Sequence, residues 1–172
     1  ELRFLFKGKS GKTWRLSVRN RRVAKIVRAC QELPGQNLFQ YLDADGETHK
    51  VTSTDVNGYL QEISGQAITA KDFRTWAGTV EAALAFHRLE PPPLKKHIRQ
   101  VVTQVSEKLG NTPTICLKCY IHPDVFSAFE SGELALGKHA DEESDDPLAL
   151  DKAERAVLRF LKARLASPGS SE

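Results

Sequence analysis

Apolar and polar residues follow one another in short β-prone runs over the first fifty positions of the chain. These runs span residues 2–6, 13–18, 39–42 and 48–51. The first two are joined by a basic turn with two glycines, residues 7–12, and this arrangement predicts a hairpin with a cationic tip. The last two flank the turn sequence Asp43-Ala44-Asp45-Gly46, which predicts a second hairpin.

Elsewhere, apolar residues recur at the three- and four-residue spacing of amphipathic helices. Between the hairpins, Asn20 is a candidate cap for a helix that is expected to end before Pro34-Gly35. Further helices are predicted from Ser53, with Thr54 or Asp55 as the cap, to Gly65; from Thr69 to the prolines at 91–93; from Leu94 to Leu109; from Pro113 through Tyr120 to Phe126; and over 148–165.

This order, small β-hairpins first and helices afterwards, predicts an α+β, mainly helical fold. The chain has 172 residues, 40% of them hydrophobic, and is long enough to bury one core, so we expect a single domain over 1–166. That domain is expected to contain an acidic loop at 139–147 and a C-terminal helix at 148–165, with a polar tail at 167–172. The sequence contains no Met and opens within a predicted strand, which predicts that it is part of a longer protein.

Hydropathy and cysteine content narrow the class of protein. No stretch approaches the roughly 20 apolar residues of a membrane-spanning helix, so we expect a soluble, cytoplasmic protein. Three cysteines are too few for a disulfide framework and fit a reducing compartment. Cys116 and Cys119 form a single C-x-x-C pair, which makes zinc binding improbable even with His122 nearby, and we expect the cysteines to pack within helices.

The net charge is only +3, but its distribution along the chain is uneven. Residues 1–28 hold ten Lys or Arg and one acid, whereas residues 130–154 hold nine acids and two Lys. A local basic surface attracts polyanions through counterion release even when the total charge is small. Charge alone therefore leaves two interpretations open for the N-terminal third, a nucleic-acid surface or a solvated basic face.

Three segments combine residue types that suit phosphate chemistry. They are Gly8-Lys9-Ser10 in the basic hairpin, Lys71-Asp72-Phe73-Arg74-Thr75, and Gly110-Asn111-Thr112-Pro113 followed by Tyr120-Ile121-His122-Pro123. In order and content they resemble the bacterial and poxvirus type of type IB DNA topoisomerase, over residues 2–130. The resemblance implies the helical catalytic domain that these topoisomerases share with tyrosine recombinases, and double-stranded DNA as the substrate.

The resemblance also implies a role for each matching residue. Tyr120 is expected to be the nucleophile that attacks a DNA phosphate, Arg74 a phosphate-binding catalytic arginine, and Lys9 the general acid. Asn111 falls where many relatives place a histidine that donates to a non-bridging phosphate oxygen; its amide can make that hydrogen bond but cannot become cationic. The other expected DNA contacts are Lys7, Lys12, Arg15, Lys71 and Lys118, of which Lys7 and Lys12 are also rivals of Lys9.

These residue types fit the expected chemistry. A phosphodiester repels nucleophiles, and fixed cationic donors stabilise the charge that its oxygens gain in the transition state. Arginine can hold two phosphate oxygens at once and stays charged, while a lysine can give the leaving 5′-oxygen its proton. Because a 3′-phosphotyrosyl product conserves the phosphodiester energy, we expect no ATP, metal or other cofactor, and the sequence has no P-loop spacing.

The resemblance places two parts of the family pattern outside this chain. One is a catalytic arginine upstream of the basic hairpin, and the other is a separate N-terminal domain that closes over the far side of the duplex. We therefore expect the 172 residues alone to be a weak or inactive topoisomerase. The complete protein is expected to act as a monomer in the bacterial nucleoid.

Other interpretations compete with these expectations. A tyrosine recombinase shares the tyrosine and the hairpin lysine, but usually carries His-x-x-Arg where this chain has Lys71-Asp72-Phe73-Arg74. A non-catalytic DNA-binding module would need only the basic N-terminal third. Arg74 is also a candidate ion-pair partner of Asp72 or Glu81. Trp76 is expected to lie in the core, and surface or structural positions are expected for His49, His87, His97 and His139.

Overall fold

The computed structural model describes residues 1–8, 11, 13–89, 92–137 and 152–166. Among them are two antiparallel strand pairs and seven helices, which confirms the α+β, mainly helical fold class. The chain divides into two compact units, Glu1–Ala67 and Ile68–Glu172. No helix in the described ranges is long and apolar enough to cross a membrane.

The first unit contains both hairpins and two helices. Strands β1 (Leu2–Lys7) and β2 (Thr13–Val18) form the predicted hairpin and pair from Leu2 opposite Val18 to Lys7 opposite Thr13. Strands β3 (Gln40–Leu42) and β4 (Thr48–Lys50) form the second hairpin. The helices are α1 (Arg21–Gln31) and α2 (Ser53–Ser64).

Side-chain caps begin both helices of this unit. The Asn20 side chain accepts a hydrogen bond from the Val23 N–H at 3.0 Å, so the predicted cap of α1 is confirmed. The predicted cap of α2, Thr54 or Asp55, is wrong, because Thr52 is the N-cap and Asp55 is the third helical residue. The Asp55 carboxylate accepts from the Thr52 N–H and hydroxyl, each at 2.7 Å, which lowers the pKa of Asp55. Thr52 and Asp55 cap each other reciprocally, so the cap lies two residues before Thr54 and three before Asp55.

The second unit is helical. Its elements are α3 (Ala70–His87), α4 (Lys95–Leu109), α5 (Pro113–Cys119), α6 (Pro123–Glu130) and α7 (Lys152–Ala166). Helix α3 is central and contacts α4, α6 and α7. Its buried face includes Phe86, whose ring stacks on Phe129 of α6 with centroids 4.3 Å apart.

One helix boundary predicted from the sequence changes in this unit. The helix predicted to run through Tyr120 ends at Cys119, because the ring of Pro123 would clash with the carbonyl four residues before it, that of Cys119, if the helix continued. Tyr120 and Ile121 therefore link α5 to α6. The predicted start of the last helix at Leu148, the acidic loop at 139–147 and the tail at 167–172 lie outside the described residues.

Candidate active site

Arg74 lies in the second turn of α3, and a polar cap fixes the start of that helix. The Asp72 carboxylate accepts hydrogen bonds from the Thr69 backbone N–H at 2.8 Å and from the Thr69 hydroxyl at 2.7 Å. These bonds hold the pKa of Asp72 below its ordinary value. A carboxylate in the first turn also complements the positive end of the helix. Asp72 thus stabilises the start of α3, the helix that contains Arg74.

Tyr120 is held between two short helices that each begin with a proline. The Thr112 hydroxyl accepts from the Ile115 N–H at 3.3 Å, and Pro113 opens α5. The Tyr120 backbone N–H still donates to the Cys116 carbonyl at 3.0 Å, although the φ of −129° and ψ of 3° of Tyr120 are not helical. The side chain of His122 then caps α6 by accepting from the Asp124 N–H at 3.2 Å. Proline suits these first helical positions because its missing N–H is not needed there.

The guanidinium of Arg74 lies over the ring of Tyr120. The carbon at the centre of the guanidinium is 5.3 Å from the ring centroid, which is cation–π distance. Arg74 Nη2 also donates to the Leu109 carbonyl oxygen at 2.5 Å, across 35 positions of sequence. The Arg74 guanidinium therefore lies beside the phenol of Tyr120, the residue that the family resemblance assigns as the nucleophile.

Asn111 shares an acceptor with Arg74. Its Nδ2 donates to the same Leu109 carbonyl oxygen at 3.3 Å, and its backbone N–H donates to the Ser106 carbonyl at 2.9 Å. The end of α4 is thus where the two side chains meet. Three residues that the sequence places in one site, from two of the three motif segments, lie around this point: Arg74, Asn111 and Tyr120.

The alternative in which Arg74 pairs with Asp72 or Glu81 is wrong. The Asp72 carboxylate is bonded to Thr69, and the Glu81 carboxylate is bonded to Lys108 Nζ at 2.6 Å. Within the ranges that the structure describes, no carboxylate forms an ion pair with Arg74. Its side chain is exposed, so its donors face solvent as well as Leu109.

The predicted lysines of the hairpin tip are only partly described. Lys9 and Lys12 lie outside the described residues, whereas Lys7 ends β1 and Arg15 lies on β2, both exposed. In the second unit, Lys71 in the first turn of α3 and Lys118 in the last turn of α5 are exposed. Their roles toward DNA stay predictions.

Sequence reasoning missed three residues of α3 that contact the segment around Tyr120. They are Thr75, Gly78 and Thr79. Their spacing of three and four residues puts them on one face of the helix. The sequence feature that could have indicated these three residues is a stripe of small and polar side chains on a helix whose other buried positions are apolar.

Other expectations have mixed outcomes. Trp76 packs against the core, as predicted, and its indole N–H donates to Glu154 at 2.8 Å. Cys116 is fully buried in helix packing, and burial raises the pKa of its thiol, but Cys119 is exposed and does not pack as predicted. Within the described part of the chain, no three side chains of the His, Cys, Asp and Glu types form a cluster that could hold a metal ion.

A family model described as the catalytic core of eukaryotic DNA topoisomerase I matches residues 1–145. The match includes Arg74, Asn111 and Tyr120 and covers most of the chain. The chain belongs to the topoisomerase I catalytic-core family. The resemblance to type IB topoisomerases drawn from the three motifs is thereby confirmed.

A similar member of this topoisomerase family is the DNA topoisomerase 1B of Acanthamoeba polyphaga mimivirus. The two sequences are 28% identical in an alignment of 169 positions, which covers 92% of this chain and 48% of the viral protein. The chain thus spans about half the length of this curated relative. Because the relative is viral, it gives no support to the bacterial source expected from the motifs.

Proposed function

We propose that the protein is a type IB DNA topoisomerase, which relaxes supercoils by cutting and resealing one strand of a duplex. The observation that carries the proposal is the placement of the Arg74 guanidinium 5.3 Å from the centre of the Tyr120 ring. The phenol thereby has a permanent cation beside it, and the same cation is close to any phosphate that the phenol attacks. Membership of the topoisomerase family supports DNA as the substrate.

In the proposed reaction the Tyr120 oxygen attacks a backbone phosphorus and loses its proton. The new bond joins phosphorus to the phenolic oxygen, the bond to the 5′-oxygen breaks, and that oxygen gains a proton to leave as a hydroxyl. The strand is then held as a 3′-phosphotyrosyl ester while the duplex turns. Attack by the 5′-hydroxyl reverses each change, so the cycle consumes no cofactor.

Three residues would stabilise or complete this exchange. Arg74 suits the non-bridging oxygens because its planar fork can donate twice and stays charged at every working pH. Asn111, next to the same Leu109 carbonyl, would donate an amide N–H to a non-bridging oxygen. Lys9, assigned by resemblance alone, would give the 5′-oxygen its proton.

The exposed cations of both units would hold the DNA backbone. Lys7 and Arg15 lie on the first hairpin, Lys71 lies in the first turn of α3, and Lys118 lies in the last turn of α5, two residues before Tyr120. Lysine and arginine at a surface bind phosphates through counterion release, whatever the base sequence. The proposed substrate is therefore duplex DNA, with Lys12 as a further expected contact.

Relaxation of a supercoiled plasmid tests this function. The complete protein is expected to relax it at low salt with a chelator and without ATP. Arg74→Ala should be slower by roughly 10²–10³-fold, the usual cost of one preorganised donor to a developing charge. Arg99→Ala, which removes an exposed arginine on α4, is the matched control and should keep the parent rate. A need for ATP, or equal rates for the two variants, would contradict the proposal.

A further inference from the structure

One face of α3 holds the backbone on both sides of Tyr120. The Thr75 hydroxyl shares its single proton between the Lys71 carbonyl of its own helix, at 3.2 Å, and the Cys119 carbonyl, at 3.3 Å, immediately before Tyr120. Thr79 Oγ1 accepts from the His122 N–H at 3.1 Å, two residues after it. The two threonines are four positions apart, so they lie on the same face of α3, one helical turn from each other. One helix therefore contacts both ends of the segment from Cys119 to His122.

Gly78 lies between these two contacts and allows α3 to approach the tyrosine itself. A Cβ at position 78 would lie 2.4 Å from the Tyr120 carbonyl oxygen and 3.1 Å from Leu109 Cδ1. The first distance is too short for any real contact with a backbone atom, so only glycine permits this approach. The same segment therefore meets α3 at three successive points.

Thr79 is the most confined of the three residues. Its side chain is 2% exposed, and its hydroxyl donates to the Thr75 carbonyl at 2.7 Å while it accepts from His122. A buried backbone N–H is costly to leave without an acceptor. The His122 N–H thus ties the position of the Tyr120 segment to that of the Thr79 hydroxyl.

We infer that Thr75, Gly78 and Thr79 are positioning residues for the nucleophile, an inference that rests on the proposed function. Arg74 directly precedes Thr75 on α3, so the helix that presents the cation also fixes the backbone of the attacking tyrosine. Attack on phosphorus requires the reacting atoms close together and in line, and a displacement of about 1 Å can cost about 10²-fold in rate. Sharing one helix keeps this geometry constant when DNA binds and turns.

The sharpest test adds one methyl group at Gly78. In the complete protein, Gly78→Ala must displace the Tyr120 carbonyl, so single-turnover cleavage of a suicide duplex should slow by about 10²-fold while DNA affinity is unchanged. The matched control is Gly58→Ala, since Gly58 is also within a helix but a Cβ there meets nothing within 4 Å. Cleavage by Gly78→Ala at the rate of Gly58→Ala would overturn the inference.

A second pair of variants decides the question if Gly78→Ala does not fold. Thr79→Val removes the hydroxyl and keeps the shape, so the His122 amide should exchange with solvent roughly tenfold faster and cleavage should slow. Thr79→Ser should restore both. Thr103→Val is the control, because the Thr103 hydroxyl bonds only to its own helix, at the Arg99 carbonyl.

These measurements separate the inference from the proposed function. A parent protein that forms no covalent adduct overturns the proposed function. A parent that forms the adduct, with Thr79→Val cleaving at the same rate despite faster His122 exchange, overturns only the positioning role. Slow cleavage by both Gly78→Ala and Thr79→Val, with rescue by Thr79→Ser, supports it.

Discussion

At the scale of single residues, the carbonyl oxygen of Leu109 organises the site. It accepts from Arg74 Nη2 and from Asn111 Nδ2, and it lies at the last residue of α4, where helix carbonyls have no partner within the helix. The two donors therefore satisfy a group that would otherwise need water. Each donor keeps further N–H groups with which to meet a phosphate.

Asn111 provides the first residue-scale prediction. If its amide donates to a non-bridging oxygen, Asn111→Ala should lower the cleavage rate with little change in DNA affinity, and Asn111→His should retain substantial activity. The rates are measured under single-turnover conditions beside equilibrium binding of an uncleaved duplex. An alanine variant with the parent rate would show that Asn111 only closes the end of α4.

Lys9 provides the second residue-scale prediction, which concerns the proton that the leaving 5′-oxygen needs. Lys9→Ala should slow cleavage of an ordinary duplex by about 10²–10⁴-fold, the usual contribution of a general acid. A 5′-bridging sulfur leaves without a proton, so that substrate should be cleaved at nearly the parent rate. Equal slowing on both substrates would make Lys9 a binding residue, and Lys7 and Lys12 would be tested next.

The residue scale also shows where sequence reasoning ends. The proximity of Arg74, Asn111 and Tyr120 could be predicted because each stands in a motif on which the family resemblance rests, while their catalytic roles stay predictions. Thr79 could not, since its partner His122 is 43 positions away and a helical threonine usually bonds to its own helix. Thr103 does just that, and nothing in the sequence distinguishes the two threonines.

At the scale of elements, the periodic patterns predicted both hairpins and the described helices, except that α5 and α6 were predicted as one helix. The β-prone runs predicted the hairpins but not which residues pair, and the structure gives a register from Leu2 opposite Val18 to Lys7 opposite Thr13. The end of α5 before Tyr120 depended on Pro123, whose effect on the preceding residues outweighs the apolar spacing that continues through them.

The cap of α3 gives a prediction with a defined pH dependence. The pKa of Asp72 in the folded protein lies below its ordinary value of 3.8, because the Thr69 hydroxyl and N–H donate to the ionised carboxylate. Ionised Asp72 therefore stabilises the fold above that value, and its contribution is lost as pH falls through the folded pKa. Asp72→Asn should lower the melting temperature at pH 7, and the difference from the parent should shrink below about pH 4.

Thermal unfolding at several pH values measures this effect. Glu107→Gln, which removes an exposed carboxylate on α4, serves as the control and should leave the melting temperature nearly unchanged. If Asp72→Asn and Glu107→Gln behave alike at pH 7, the cap does not stabilise α3. A difference that grows in acid would contradict the assigned direction of the pKa shift.

At the scale of the whole molecule, each unit is suited to a different task. The first carries the basic hairpin and the basic helix α1, and it contains Lys7 and Arg15. The second buries the large core and contains Arg74, Asn111 and Tyr120. The proposed function needs both units, because the basic surface would hold the DNA and the centre around Tyr120 would cut it.

The measurement that tests the account most directly is covalent capture on a nicked suicide duplex, followed by peptide mapping. The complete parent protein should become attached to the 3′ end of the cut strand through Tyr120. Tyr59→Phe, which alters an exposed tyrosine of α2, should form the adduct like the parent, whereas Tyr120→Phe should bind the duplex and form none. Adduct formation by Tyr120→Phe at the parent level, or attachment through another residue, would contradict the assignment of the nucleophile.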